Sequence, residues 1–263
     1  MGLINRFKEN NRRTADFFRM MPHMFRMFRV QTSIPLIKIA LLVFSSKFIN
    51  MVVMFIPLKM LFVLSGSKNI EVLHEMEQSV GRDLYIGGML AIIAFLYIFS
   101  VVVSILKVKL VNKQKNHLEI KNYYIRERVL QRPVILKTYG PFCQVLADVL
   151  LVSTVIFTLF VVNYYYALYY LFIVTIYIII VEQWAFSTHS PRLMTKLGID
   201  SKQFINISGV FIFFLSFVGI IAVILNLEIS VIFAVLMLIL SRLGFGALKS
   251  FFNCQIKLRT YFL

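Results

Sequence analysis

Cysteine is scarce in this chain of 263 residues. There are two, Cys143 and Cys254, with no CxxC spacing and no histidine pair beside either. That excludes a disulfide framework or a cysteine zinc site as the organising chemistry. Both fall near cytosolic helix ends in the topology below, where thiols stay reduced. Histidine is equally thin: His23, His74, His117 and His189 are scattered, and HEMEQ after Leu73 lacks the second histidine of a HExxH motif. No Gly-x-Ser-x-Gly elbow occurs. GFGALKS, residues 244–250, has Leu248 where a phosphate loop needs glycine before its lysine. A membrane enzyme acting on lipids or isoprenoids would need clustered Asp, His or Glu near an interface, and here they are scattered singles. The expectation is no catalytic set, no cofactor and no metal.

Acidic residues are also few, 12 against 28 Lys and Arg, for a net charge of +16. What the chain has in excess is apolar surface: 59% hydrophobic residues and a mean hydropathy of +0.81. A soluble domain, with ~45–50% apolar residues, could not bury that much, so the bilayer is the expected solvent. Apolar runs of the ~20 residues a membrane helix needs predict six spans: Ile34–Leu64, Leu84–Leu106, Phe142–Val162, Tyr164–Val181, Phe204–Leu225 and Ile229–Leu248. Bilayer-buried backbone must satisfy its own hydrogen bonds, so the spans read as helices and the fold as all-α. Asn163 alone separates spans three and four, and Asn226 to Glu228 form the turn between spans five and six.

The cations sort by side. Seven precede span one, nine lie between Lys107 and Lys137, and only Lys68 and Arg82 lie between spans one and two, where the acidic Glu71, Glu75, Glu77 and Asp83 gather. By the positive-inside rule both termini are cytosolic. This accounts for the charge without nucleic acid as a partner. No cleavable signal peptide is expected ahead of the run at Ile34, and MGLINR lacks the Ser or Thr at position six of a myristoylation motif.

Three domains follow: a basic amphipathic segment 1–33, a membrane domain 34–250 and a cytosolic tail 251–263. In the first, Lys8, Arg12, Arg19 and Arg26 recur at helical spacing on one face, with Phe and Met filling much of the rest. Such a segment is expected at the inner headgroup region with its cations toward lipid phosphates. Pro22 is expected to kink or restart it. Ionisable residues inside spans mark the most informative positions, since a charge at mid-bilayer costs ~2.5–3.5 kcal/mol and seeks a partner or water. They are Lys47, Asp148 and Glu182. Lys47 and Asp148 match in depth as an ion pair, while a substrate or proton role and simple snorkelling stay open. Glu182, beside Trp184, reads as an interfacial end. The tyrosines of NYYYALYYLF, residues 163–172, read as an interfacial belt, with a substrate-binding surface as the sharper reading.

Two stretches carry a resemblance. KIALLVFSSKFINMVVMFIPLKMLFVLSG, residues 38–66, resembles the first membrane helix of ABC exporter permeases, especially those of type I secretion. The matching features are the Ser45-Ser46 step, Asn50, and Pro57-Leu58 before an aliphatic exit. Residues 219–259 resemble the last two helices of that fold, with Arg242 and the Gly246-Ala247-Leu248 step in the corresponding places. The basic N-terminal segment is similar to the elbow helix of these exporters. Pro57 can bend the outer third of its helix, and Asn50 can bond across helices for ~0.6–2 kcal/mol.

The resemblance implies an ABC-exporter-like membrane domain with shortened cytosolic legs, since only residues 182–203 join spans four and five. The sequence ends at Leu263, where a family member would usually enter its ATPase domain, so a separate ATPase is the implied partner. The implied function is a permease-like subunit of an export or secretion system in the bacterial inner membrane, touching lipid and pairing with itself or another ABC permease. The alternative is a non-transporting, degenerate permease that scaffolds or assembles a larger membrane complex.

Overall fold

The computed structural model describes residues 12–31, 36–64, 82–117, 123–125, 128–130, 132–186, 198–227 and 231–262. Seven helices run through them: α1 (Arg12–Gln31), α2 (Leu36–Leu64), α3 (Arg82–His117), α4 (Arg132–Val162), α5 (Tyr164–Trp184), α6 (Ser201–Leu227) and α7 (Val231–Phe262). Among the described residues the regular structure that is not helical is a small antiparallel hairpin, β1 (Tyr123–Ile125) with β2 (Arg128–Leu130), which pairs Tyr123 with Leu130. Five helices hold stretches long and apolar enough to cross a membrane: Leu90–Lys113, Val134–Val162, Tyr164–Trp184, Ser201–Asn226 and Phe233–Arg259. The chain is an integral, polytopic membrane protein. The first expected span, α2, is a continuous helix of 29 residues, and most of its side chains beyond Val53 lie outside the described residues.

α4 and α7 make the most extensive helix pair, α6 packs on both α5 and α7, and α5 returns to α4, which closes a four-helix bundle. α2 packs on the outside of α4, and α3 leans chiefly on α2. Several helices outrun the expected spans. α3 continues past Leu106 to His117, α4 begins at Arg132 and passes through Pro141, and α7 extends unbroken to Phe262. Residues 251–262 therefore continue a membrane helix. Asn226 and Leu227 belong to α6 rather than to a turn, with the Asn226 amide donating to the Ala222 carbonyl at 2.7 Å. Cys143 and Cys254 sit inside α4 and α7, not at helix ends, and Cys143 is buried.

The single-residue link at Asn163 stands as the sequence implied. Asn163 is extended (φ −158°, ψ 112°), and its side chain accepts from the Tyr166 N–H at 2.8 Å, capping α5. An Asx cap of this kind occupies one of the N–H groups that the first turn of a helix leaves without a backbone partner.

α1 is one helix, and Pro22 neither ends nor restarts it. Pro22 is on the exposed side, where water can replace the donor it lacks. Phe17, Met20, Met24, Met27 and Phe28 recur every three or four residues and are all buried. They bury against protein: Phe17 meets Phe251 of α7 edge-on at 6.1 Å, and Phe28 meets Tyr139 and Phe142 of α4 at 5.4 and 5.2 Å. The apolar face of this segment is therefore covered by α4 and α7, and Arg19, Arg26 and Arg29 are exposed.

The tyrosine run divides. Tyr164 and Tyr165 are exposed, as an interfacial belt requires. Tyr166, Tyr170 and Tyr177 share one face of α5 and are fully buried in the bundle. Tyr166 hydrogen-bonds the Ser241 hydroxyl at 2.6 Å, Tyr177 donates to the Ile205 carbonyl at 3.0 Å, and Tyr170 packs on Phe245 at 5.1 Å. Each ring fills the space between α5 and α7, and the hydroxyls of Tyr166 and Tyr177 tie α5 to α7 and to α6. Gly244 makes room for this file: a Cβ there would meet the Tyr170 hydroxyl and Val155. Gly246, two residues on, has open space at its Cβ position.

These two glycines give opposed expectations on one helix. Gly244→Ala overpacks a buried site and should cost about 1–3 kcal/mol. Gly246→Ala should be neutral or gain up to about 1 kcal/mol from helix propensity. Thermal unfolding of the two variants in detergent, followed by size-exclusion fluorescence, checks the order.

Candidate functional site: a polar thread and the cavity beside it

Lys47 and Asn50 lie three residues apart on α2 and so share a face. On α4, Gln144 and Asp148 lie four apart and do the same. These two faces meet. Lys47 Nζ is ion-paired and hydrogen-bonded to Asp148 Oδ1. The Asp148 side chain is 0% exposed and that of Lys47 is 24% exposed. Gln144 Nε2 donates to Asp148 Oδ2 at 3.5 Å and to Ser250 Oγ of α7 at 3.1 Å. From α3, the Ser100 hydroxyl donates to Asn50 Oδ1, and Ser100 is buried. The result is a polar thread through four helices in the order α3, α2, α4, α7.

A buried carboxylate is tolerable only when paired and hydrogen-bonded. Asp148 has its cation from one helix and an amide from its own. The expected pairing of Lys47 with Asp148 and the expected cross-helix bond of Asn50 are both present. Glu182 is elsewhere: it is buried near the end of α5 and takes no part in the thread. The neighbouring Trp184 stacks on Phe204 of α6 at 6.0 Å with planes 6° apart, so it packs within the protein. Pro57 lies within helical α2, in the stretch whose side chains are outside the described residues, and Lys8 lies outside them altogether. Arg12 begins α1. Arg19 and Arg26 are exposed on the face opposite the buried methionines, and Arg19 lies 3.8 Å from Asp16.

Beside the thread is a cavity of about 600 Å³ between α2, α3, α4 and α7. Its polar lining is Lys47, Asn50, Tyr97 and Arg242. Its apolar lining includes Val53, Leu151, Ile239 and Leu243, and Gly246 opens the α7 wall. Arg242 is exposed and makes no ion pair or hydrogen bond among the described residues. Lys47 is paired with Asp148, so among the described lining residues Arg242 is the cation without an acidic partner.

The sequence pointed to Lys47, Asn50 and Asp148 through the cost of burying charge and amide in a span. Gln144 carried a weaker signal, its spacing of four from Asp148. Ser100 and Ser250 carried none, because serine is common in apolar helices. Residues 244–250 are helical throughout and offer no phosphate-cradling loop. Among the described residues no three His, Cys, Asp or Glu side chains come together. No family model, no curated protein and no solved structure matches this chain.

Removing one partner of the buried pair strands the other. Lys47→Met and Asp148→Asn should each destabilise by about 3 kcal/mol. The apolar double variant Lys47→Met/Asp148→Leu should recover most of that loss. A thermal-melt double-mutant cycle in detergent reads the coupling directly.

Proposed function

We propose that this chain is a permease-like membrane subunit of an ABC-type export or secretion system, powered by a separate ATPase. The observation that supports it is the open, part-charged cavity between α2 and α7. A passive anchor gains nothing from a hollow lined by Lys47 and Arg242, because buried charge is costly and cavities forfeit packing. The two helices that line it most are also those whose sequences resemble exporter permeases. In this reading α2 is the first of six spans. Both termini face the cytosol of a bacterial cell whose inner membrane holds the protein, and a second copy or another permease completes the assembly.

The satisfied polar thread favours a second reading. Every group in it has a partner, as a static scaffold for a larger membrane complex would need. The two readings part at the pair. In a permease, replacing Lys47 and Asp148 with an apolar pair leaves folding intact and impairs export. In a scaffold that replacement is silent, and charge reversal across residues 107–137 breaks assembly instead.

The experiment is a mild-detergent pull-down from native membranes, with mass spectrometry and an ATPase assay of the eluate. An ATPase that co-purifies, and whose turnover falls at least fivefold with the Lys47→Met/Asp148→Leu chain, is the expected result. Partners without nucleotide hydrolysis establish the scaffold, and a monomer with no partner removes the export reading.

A further inference from the structure

Arg242 stands about 14 Å along α7 from Phe233 and about 25 Å from Arg259, at ~1.5 Å per residue. Arg242 lies within α7, six residues before the apolar run ends at Leu248, and its side chain is exposed on the cavity. A guanidinium does not lose its proton in a protein. It must therefore meet water or an anion, and the described residues of the chain supply no carboxylate to it.

The rest of the cavity lining has the same polarity. Asn50 spends its carbonyl oxygen on the Ser100 hydroxyl, which leaves two amide N–H donors. Lys47 has three donors and gives one to Asp148. Asp148 itself is turned away: its oxygens take Lys47 and Gln144, and it is fully buried outside the cavity lining. Donors thus gather from α2 and α7, with no ionised acceptor among them. Around them stand Val53, Leu151, Ile239 and Leu243. A volume of about 600 Å³ is that of a small-molecule site.

From this lining we infer that the cavity binds an anionic amphiphile: one phosphate or carboxylate head on Arg242, with Asn50 and Lys47 donating to it, and an acyl chain along the apolar wall. Arginine favours such heads because its planar fork meets two oxygens at once. This inference names the ligand class for the cavity on which the permease reading rests. Gly246 lines the cavity beside Leu243, and the space at its Cβ position is empty, so a larger side chain there would project into it.

The test is binding to the purified full-length chain in phosphatidylcholine nanodiscs. The probes are lauroyl lysophosphatidic acid, lauroyl lysophosphatidylcholine and inorganic phosphate. The acid should bind at least tenfold more tightly than the choline ester, and millimolar phosphate should not displace it. Arg242→Gln should weaken the acid at least tenfold and leave the choline ester unchanged. Lys249→Gln, on the same helix but outside the cavity, should change neither. Gly246→Leu should exclude both lipids while its melting temperature holds, which separates a filled cavity from a misfolded one.

Equal binding of the two lipids, or an Arg242→Gln chain that binds the acid normally, overturns the inference. So does equal loss in Lys249→Gln, which would mean surface charge alone. Displacement by inorganic phosphate overturns the amphiphile assignment. The permease reading is judged separately by its ATPase partner: binding without a partner sinks that reading and leaves this one, and a partner without binding does the reverse.

Discussion

The ion pair between Lys47 and Asp148 is the interaction on which the arrangement of the other helices depends. Neither charge is affordable alone at that depth, so α2 must meet α4 in one register and one rotation. Once they meet, Gln144 is placed to reach both Asp148 and Ser250, and α7 is held to the same level of α4. Asn50, one turn along α2 from Lys47, is then presented on the side where Ser100 of α3 can bond it. In a medium where apolar side chains prefer lipid and protein about equally, packing and polar contacts have to supply specificity. Here one pair sets a register that three further contacts extend.

The bundle of α4 to α7 solves the same problem by different means. Its specificity lies in shape: tyrosines on one face of α5 are too large to be placed arbitrarily, and their hydroxyls accept few positions at depth. Tyr166 and Tyr177 find Ser241 and the Ile205 carbonyl, on α7 and α6 respectively. Close approach at Gly244 lets Tyr170 lie between helices rather than push them apart. The far end of the bundle is closed by aromatic contacts, as Phe251 of α7 takes Phe17 of α1, and Phe252 takes Tyr177 and Phe186. α1 is thus cemented to the bundle, with Arg19, Arg26 and Arg29 left outward.

Much of this was legible from the sequence because burying charge is expensive. Lys47, Asn50 and Asp148 stood out against apolar runs, and the structure brings them into one thread. Helix extents were harder. Hydropathy reports where lipid-compatible side chains stop, not where helical hydrogen bonding stops, so α3, α4 and α7 run on through basic and polar residues. Pro22 misled in the same way: it remains inside α1 because it loses only one backbone bond, on the exposed side of a helix whose other face is packed. The tyrosine run was half legible. Composition pointed to an interfacial belt, which the exposure of Tyr164 and Tyr165 fits, but the four-residue spacing of Tyr166 and Tyr170 was the stronger sign, and it meant core. Ser100 and Ser250 act only through where their partners lie, which no single-sequence pattern records.

α3 shows what remains when such contacts are few. Only 11% of its membrane-length window is buried, and Phe95, Tyr97, Ile98 and Ile105 all face outward. Its neighbours are chiefly α2, held by the Ser100 bond and by apolar contact. It is therefore the wall of the cavity that costs least to move, whereas α4 and α7 are locked together along their lengths. Tyr97 stands on that movable wall, and Lys47, Asn50 and Arg242 stand on the fixed ones. Opening the cavity sideways would break the Ser100 to Asn50 bond and separate α3 from α2, its chief neighbour, while leaving the ion pair and the bundle in place. The polar groups of the cavity would keep their geometry while its mouth changed size. A site meant to admit and release an amphiphile from the bilayer needs that division between rigid head-group donors and a loosely held apolar wall.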